Sequence, residues 1–472
     1  MKKYSIKVKT IDLNKNLTSR TIIVTISSIL INAISMFTAP IFTRLLTTSE
    51  YGLYSVFMSW GSIFMIVFGL QTNGSLNNAK IEFDKRKYMN YCSDIYTFSL
   101  FVFFIAGIFF AIFKFSIASL LSLPTEGIVL IVLYACGSFS LAFITGFFNV
   151  EERVTNSLLI SAMFTITSTL LAIFLIYKNI FSGYLGRIIG IVIPQLIIII
   201  YTFVFFYRYK CRENYIQNIK KCLELTIPLV VYGIAGIILA QVDRIMLLSM
   251  VSEATAGIYS FCYTMALPIT IINGALNTTW VPQYYKYMLE KKYEKIKIHQ
   301  QRYMFLVVAL SCGYILVSPE FVKLLASSEY WNGINIIPLV IVSYFFDFLC
   351  LFPTNYEFYL KKTKHLSMVS CAGGVSNIIL NYFFIQFGGM YGAAIATILS
   401  HIVMFVIHEY IVRYIIKDYS VKWIFNFKGI VPILGCFSLY YFIENNFVVR
   451  WGIASAIGII TLYKIIKQRA LI

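Results

Sequence analysis

Charge is scarce in this chain. Of its 472 residues only 13% are Asp, Glu, Lys or Arg and 59% are hydrophobic, whereas soluble domains carry roughly 25% charged residues. With a mean hydropathy of +0.77, the apolar runs leave no room for a soluble domain, which excludes the globular enzyme classes. Acids are the scarcer sign: 21 Asp and Glu stand against 39 Lys and Arg, a formal net charge of +18. The nine cysteines are scattered, with no C-x-x-C pair, so neither a disulfide framework nor a thiolate metal site is expected. His401 and His408 lie seven apart on one helical face, without matching Cys or carboxylate ligands, and no metal site is expected there. No small-x-small cleavage site follows the first apolar run, so a cleaved signal peptide is not expected either.

What the chain has is apolar runs of helical length. A membrane-crossing helix needs about 20 apolar residues. Fourteen stretches approach or meet this, at 22–43, 53–73, 95–115, 127–148, 157–177, 183–206, 225–248, 257–278, 303–318, 334–353, 367–386, 391–412, 425–443 and 450–466. They lack the strict alternation over about 10 residues that marks barrel strands. The ninth is short and interrupted by Pro319. Between the eighth and ninth, 283–302 reads as a basic amphipathic helix lying along the membrane surface.

The cations are placed with a rule. They fill the N-terminal tail (Lys2, Lys3, Lys7, Lys9, Lys15, Arg20) and the loops after even-numbered runs, such as Lys80, Lys85, Arg86 and Lys87. Intervening loops hold only Arg44, Lys114, Lys178, Lys323 and Arg450 at their margins. This is the positive-inside pattern, which sets both termini in the cytoplasm. It directs the basic face to anionic lipids and argues against nucleic acid as a partner.

The chain also repeats itself at a distance of about 200 residues. Arg44, Gly52-Leu53-Tyr54-Ser55 and Asn73-Gly74-Ser75-Leu76-Asn77 are followed by Arg244, Gly257-Ile258-Tyr259-Ser260 and Asn273-Gly274-Ala275-Leu276-Asn277. Phe181-Ser182-Gly183-Tyr184-Leu185-Gly186 likewise precedes Phe387-Gly388-Gly389-Met390-Tyr391-Gly392. Six helices per copy is an even number, so the copies enter the membrane from the same side as parallel repeats. The expected architecture is all-α and integral to the membrane, with about 14 transmembrane helices and two six-helix lobes around a central cavity. The boundaries are a basic tail at 1–20, an N-lobe at 21–207, a basic linker at 208–222, a C-lobe at 223–414, and two extra helices with a tail at 415–472.

Thr38-Ala39-Pro40-Ile41-Phe42-Thr43-Arg44 leading into Glu50-Tyr51-Gly52-Leu53-Tyr54 resembles the opening of Wzx-type polysaccharide flippases. Gln241-Val242-Asp243-Arg244 before Gly257-Ile258-Tyr259-Ser260 is similar to them, as is Ser318-Pro319-Glu320 before Leu324-Leu325 and Glu329-Tyr330. So is Asn377 to Asn381-Tyr382 followed by Gly389-Met390-Tyr391-Gly392-Ala393-Ala394-Ile395-Ala396-Thr397. The resemblance implies the multidrug/oligosaccharidyl-lipid/polysaccharide exporter superfamily. It further implies that the cargo is undecaprenyl-pyrophosphate-linked oligosaccharide, an O-antigen or capsule repeat unit, moved to the outer leaflet of a bacterial cytoplasmic membrane. A polysaccharide polymerase or glycosyltransferases are candidate partners.

A pyrophosphate crossing hydrocarbon needs cations, and ionisable residues within spans are candidates by default. Arg187 stands where the second copy has Ala393; Arg44 and Arg244 stand near the ends of spans one and seven. An arginine fork suits phosphate. Asn73 and Asn273 lead the polar candidates, ahead of Asn32, Gln71, Gln195 and Gln241. Asp243, beside Arg244, and Asp347, with no charged neighbour in sequence, are candidates for H+ or Na+ coupling. Transport makes no covalent change, so no catalytic residue or cofactor is expected. The competing readings are a lipid II-type flippase, a small-molecule antiporter of the same superfamily, and a membrane polysaccharide polymerase. The last is disfavoured by the small loop at 319–333.

Overall fold

A computed structural model of the chain describes residues 38–209, 214–416 and 426–468. The basic N-terminal tail, Asn32 and most of the first apolar run lie outside the described residues. Backbone amides have no water to bond in a bilayer, so apolar runs of this length resolve into helices. They are α1 (38–45), α2 (Thr48–Gly69), α3 (Lys85–Ile112), α4 (Ile128–Val150), α5 (Val154–Tyr177) and α6 (Gly183–Tyr207). Then come α7 (Tyr215–Met250), α8 (Glu253–Leu289), α9 (Tyr293–Leu325) and α10 (Ile337–Tyr359). The run Thr363–Tyr410 is broken at Gly389 (φ 50°, ψ −126°), a left-handed conformation that favours glycine. The break gives α11 (363–388) and α12 (390–410); α13 (Asn426–Ile443) and α14 (Phe447–Gln468) complete the chain.

Eleven helical runs among the described residues are long and apolar enough to span a membrane, one of them the run broken at Gly389. Gly429–Ile443 adds a shorter apolar segment. Phe101, Phe104, Ile105, Ile108 and Phe109 of α3 are exposed, as a lipid-facing stripe must be.

The two halves begin alike. Thr47 caps α2, its Oγ1 accepting from Glu50 N–H (3.2 Å) while Glu50 Oε2 accepts from Thr47 N–H (3.0 Å). Ser252 caps α8 at the equivalent place, its Oγ accepting from Thr255 N–H (3.1 Å). Five residues beyond each cap stand Gly52 and Gly257, and these meet. A Cβ on Gly52 would lie 2.0 Å from the Glu253 carbonyl oxygen, and one on Gly257 would lie 1.9 Å from that of Thr48. One turn on, the repeat-related hydroxyls Ser55 Oγ and Ser260 Oγ are 2.8 Å apart. The halves are therefore related by a pseudo-twofold axis through a backbone-to-backbone crossing. Tyr330 reinforces this end, its hydroxyl 3.4 Å from the Leu46 and Thr47 carbonyls, and Ser327 Oγ donates to Thr43 O (3.0 Å).

Other repeats slip. Asn73 follows Gly52 by 21 residues but Asn273 follows Gly257 by 16. After Gly69 the chain turns left-handed at Leu70 and Gln71, so Asn73 sits in the 3-10 turn Thr72–Ser75, while Asn273 lies within continuous α8. Arg44 precedes its cap by three residues and Arg244 precedes Ser252 by eight; counted from the caps, the counterparts of Asp243 and Arg244 are Thr38 and Ala39.

Two expectations are corrected. No separate surface helix occupies 283–302: α8 runs to Leu289 and α9 starts at Tyr293, so the basic residues cap a helical hairpin. The ninth span is not short, because α9 continues through Pro319 for 33 residues. Hydropathy falls at charged ends, whereas helical hydrogen bonding continues past the hydrocarbon edge. In the turn, Lys292 (2.6 Å) holds the Glu290 carboxyl below the usual carboxylate range.

At the basic end, α7 reaches onto the first half: Asn218 Nδ2 donates to Asp94 Oδ2 (2.8 Å) and Lys221 pairs with Glu82. At the other end the final helix is pinned by Arg450, 3% exposed, whose Nη1 donates to Glu320 Oε2 (2.8 Å) and Leu316 O (2.7 Å).

Gly52→Ala and Gly257→Ala should each lower the thermal midpoint of the detergent-purified protein, through overpacking worth about 3 kcal/mol. Gly458→Ala, where nothing lies within 4 Å, should leave it unchanged. Equal midpoints for all three would show that the crossing does not hold the halves together.

Candidate functional site

The first half encloses a cavity of about 490 Å³ whose walls come from α1, α2, α4, α5 and α6. Its polar lining is mostly hydroxyl: Thr38, Tyr54, Tyr134, Ser138, Thr145, Ser161, Thr165, Ser168 and Thr169. Gln195, 1% exposed, donates to Ser138 Oγ (2.9 Å). Serines and threonines in membrane helices commonly return their hydroxyl to the preceding turn. Thr145 does so to Leu141 O (2.7 Å) and Ser161 to Ser157 O (3.0 Å), which leaves their oxygens as acceptors toward the cavity.

Among the described residues Arg187 is the one full charge in this wall. It enters on the first turn of α6, and its guanidinium carbon lies 3.3 Å from the ring centre of Phe42 and 4.3 Å from that of Tyr54. Aromatic faces hold the plane of a guanidinium while leaving its in-plane N–H groups free to donate. Nε and Nη1 are buried with no hydrogen-bond partner among the described residues. A buried guanidinium with unused donors favours an incoming anion with two acceptor oxygens.

The second half has no cation where Arg187 stands, and it buries a carboxylate one position before Arg244. Asp243, 1% exposed, accepts from the Tyr259 hydroxyl at 2.7 Å and from the Arg244 backbone N–H at 2.8 Å. Tyr259 and Tyr54 are the same repeat tyrosine; one serves a carboxylate and the other stacks on a cation. Ala393, fully buried, stands where Arg187 does. Arg244 lies 5.2 Å from the Tyr263 ring, and its Nε has no partner among the described residues. Arg187 and Arg244 both act electrostatically on the buried Tyr51 hydroxyl at the crossing of the halves.

The remaining candidates separate. Arg44 is exposed and outside the cavity wall. Asn73 is half-buried in its turn. Asn273 Nδ2 donates to Tyr344 O (3.3 Å), and its Oδ1 is unpartnered among the described residues. Asp347 is not solitary: its Oδ1 lies 3.9 Å from His401 Nε2. Nor do the histidines lack carboxylates, because His408 Nδ1 is 2.7 Å from Glu357 Oε1. Sequence reading missed Glu357, whose partner lies 51 residues away. It also missed Phe42 and Tyr54 as the clamp on Arg187, although both stand in quoted motifs.

Helices of membrane-spanning length, duplicated halves and a pocket walled, among the described residues, by hydroxyls and one arginine describe a multi-pass membrane protein. Residues 17–288 match the family described as "Polysaccharide biosynthesis protein", and the chain belongs to that family. It is 23% identical over 341 residues to Lsg locus protein 1 of Haemophilus influenzae, covering 70% of this chain and 82% of that one. Among solved structures, the lipid II flippase MurJ in an inward closed conformation superposes with a TM-score of 0.67 at 14% identity, over 90% of this chain and 99% of that one. An inward-facing multidrug resistance MATE family transporter of the MOP superfamily gives 0.63 at 13% identity, over 82% and 96%. The fold is that of MOP-superfamily transporters.

A double-mutant cycle of Phe42→Leu with Arg187→Gln, read by thermal midpoint, should show a coupling of about 1 kcal/mol, in the range of partly desolvated cation–π pairs. Strict additivity would mean that the ring does not hold the guanidinium.

Proposed function

We propose that this protein is a flippase for undecaprenyl-pyrophosphate-linked oligosaccharide, moving it from the cytoplasmic to the outer leaflet of a bacterial cytoplasmic membrane by alternating access. The observation that carries the reading is Arg187, an aromatic-clamped fork with unpartnered donors in a hydroxyl-lined cavity. Phosphate oxygens match its donor pair, and the hydroxyl wall offers a glycan replacement hydrogen bonds as it leaves water. Family membership and the lipid II flippase fold support a lipid-linked glycan as cargo.

The basic end faces the cytoplasm by the positive-inside rule, with both termini there. The Gly52–Gly257 crossing then lies toward the outer face. The lobes, at 21–207 and 223–414, move about this crossing, joined by the linker at 208–222 and followed by the added helices of 415–472. Arg187 receives the pyrophosphate, with Arg244 in the other lobe. Asp243, buried in the opposite lobe, and Asp347 are the candidates for ion coupling. Nothing in this cycle breaks a covalent bond, so the protein acts as a carrier and not as an enzyme.

A strain lacking the protein should accumulate complete lipid-linked repeat units on the cytoplasmic leaflet and lose surface polysaccharide. Arg187→Gln and Arg244→Gln should each cut export about tenfold or more, the value of a charge-assisted bidentate contact, at unchanged protein level in the membrane. Normal surface polysaccharide in the deletion strain would overturn the reading. Full export by both variants would move the phosphate elsewhere. Repeat units that reach the outer leaflet unpolymerised would favour the polymerase.

A further inference from the structure

The interface of α10 and α12 holds charges that the cargo site does not use. The helices run in the same direction, and their contacts step along in order. Ser343 Oγ is 3.1 Å from His401 Nδ1, and Asp347 Oδ1 is 3.9 Å from His401 Nε2. Further toward the basic end, Thr354 Oγ1 is 3.4 Å from His408 Nε2, and Glu357 Oε1 is 2.7 Å from His408 Nδ1. Glu357 is fully buried, His408 is 2% exposed, and Glu357 Oε2 has no hydrogen-bond partner among the described residues. In the upper pair His401 is buried as well, but the Asp347 side chain is 46% exposed.

A buried carboxylate against an imidazole has a preferred proton count. With one proton shared, the pair carries no net charge; without it, one negative charge stays in a dry site with an unbonded oxygen. Other titratable groups surround this face. Glu409 lies beyond His408 on α12 and pairs at 2.8 Å with Arg413 in the helical turn that follows. Lys361 and Lys362 form the turn after α10, Lys364 and His365 open α11, and α7 brings Asp243 and Arg244 nearer the opposite end.

We infer that the Glu357–His408 pair is a proton-binding site that couples a proton to the movement of the lobes, with Asp347–His401 as its entry. This rests on the transport reading and names its coupling ion. A proton from the outer phase enters at the half-exposed Asp347, passes the buried His401 and adds to the carboxylate–imidazole pair, which becomes neutral. It leaves past Glu409 to the cytoplasm, regenerating the charged pair. No bond other than those to the proton changes. The charged pair favours whichever lobe arrangement admits water to it, and the neutral pair favours closure, so the two equilibria are linked.

The test is infrared spectroscopy of the lipid-reconstituted full-length protein titrated between about pH 5 and pH 9, bracketing the range in which imidazoles change charge. The wild type should show a protonated-carboxyl carbonyl band that titrates reversibly, is lost in Glu357→Gln, and keeps its amplitude with a displaced midpoint in His408→Gln. In cells, collapsing the proton gradient with an ionophore should slow wild-type export several-fold and leave Glu357→Gln export, already reduced, unaffected. A wild-type spectrum without a titrating carboxyl, or the same titration in Glu357→Gln, overturns the proposal and leaves the pair a static helix fastener. If the cargo is not a lipid-linked glycan, the export arm fails for every variant while the spectral arm still decides.

Discussion

Two glycines hold this molecule in its observed shape. At the crossing of α2 and α8 the backbones approach so closely that neither Gly52 nor Gly257 has room for a methyl group. In hydrocarbon there is little hydrophobic drive for helices to associate, and close backbone packing with small residues takes its place. The Ser55–Ser260 contact lies on the same axis, and the Tyr330 and Ser327 contacts close the same end. Tyr51, on which Arg187 and Arg244 both act electrostatically, precedes Gly52 on α2 at that crossing.

Symmetry in the backbone is accompanied by asymmetry in charge. Counted from the helix caps, Thr38 and Asp243 correspond, as do Tyr54 and Tyr259, and the glycine turns set Arg187 against Ala393. One half therefore presents a cation to a hydroxyl-lined cavity. The other buries a carboxylate under the same tyrosine. A low-dielectric interior makes such differences in charge matter.

Much of this was legible in the sequence. The spans, the cation alternation and the repeat glycines follow from one-dimensional patterns, and so does the contrast of Arg187 with Ala393. The illegible parts depend on partners far apart in the chain. Glu357 is an unremarkable acid near a helix end until α12 brings His408 to 2.7 Å. Asp347 reads as solitary until His401 stands beside it. The copies of Asn-Gly-x-Leu-Asn mislead for another reason: residue identity says nothing about register, and the left-handed turn at Leu70 and Gln71 shifts one copy by five residues. The hairpin at 290–292 was hidden because hydropathy marks the edge of oil, not the end of a helix.

The self-facing crossing also bears on how a duplicated chain can change. Elsewhere the two copies are free to drift apart, as Arg187 and Ala393 have, because each faces neighbours of its own. On the axis each glycine is the other's environment, and both already carry the smallest possible side chain. Enlargement on one side therefore has no compensating reduction on the other. Two positions separated by 205 residues are thus bound to a common fate, and divergence of the halves must go around them.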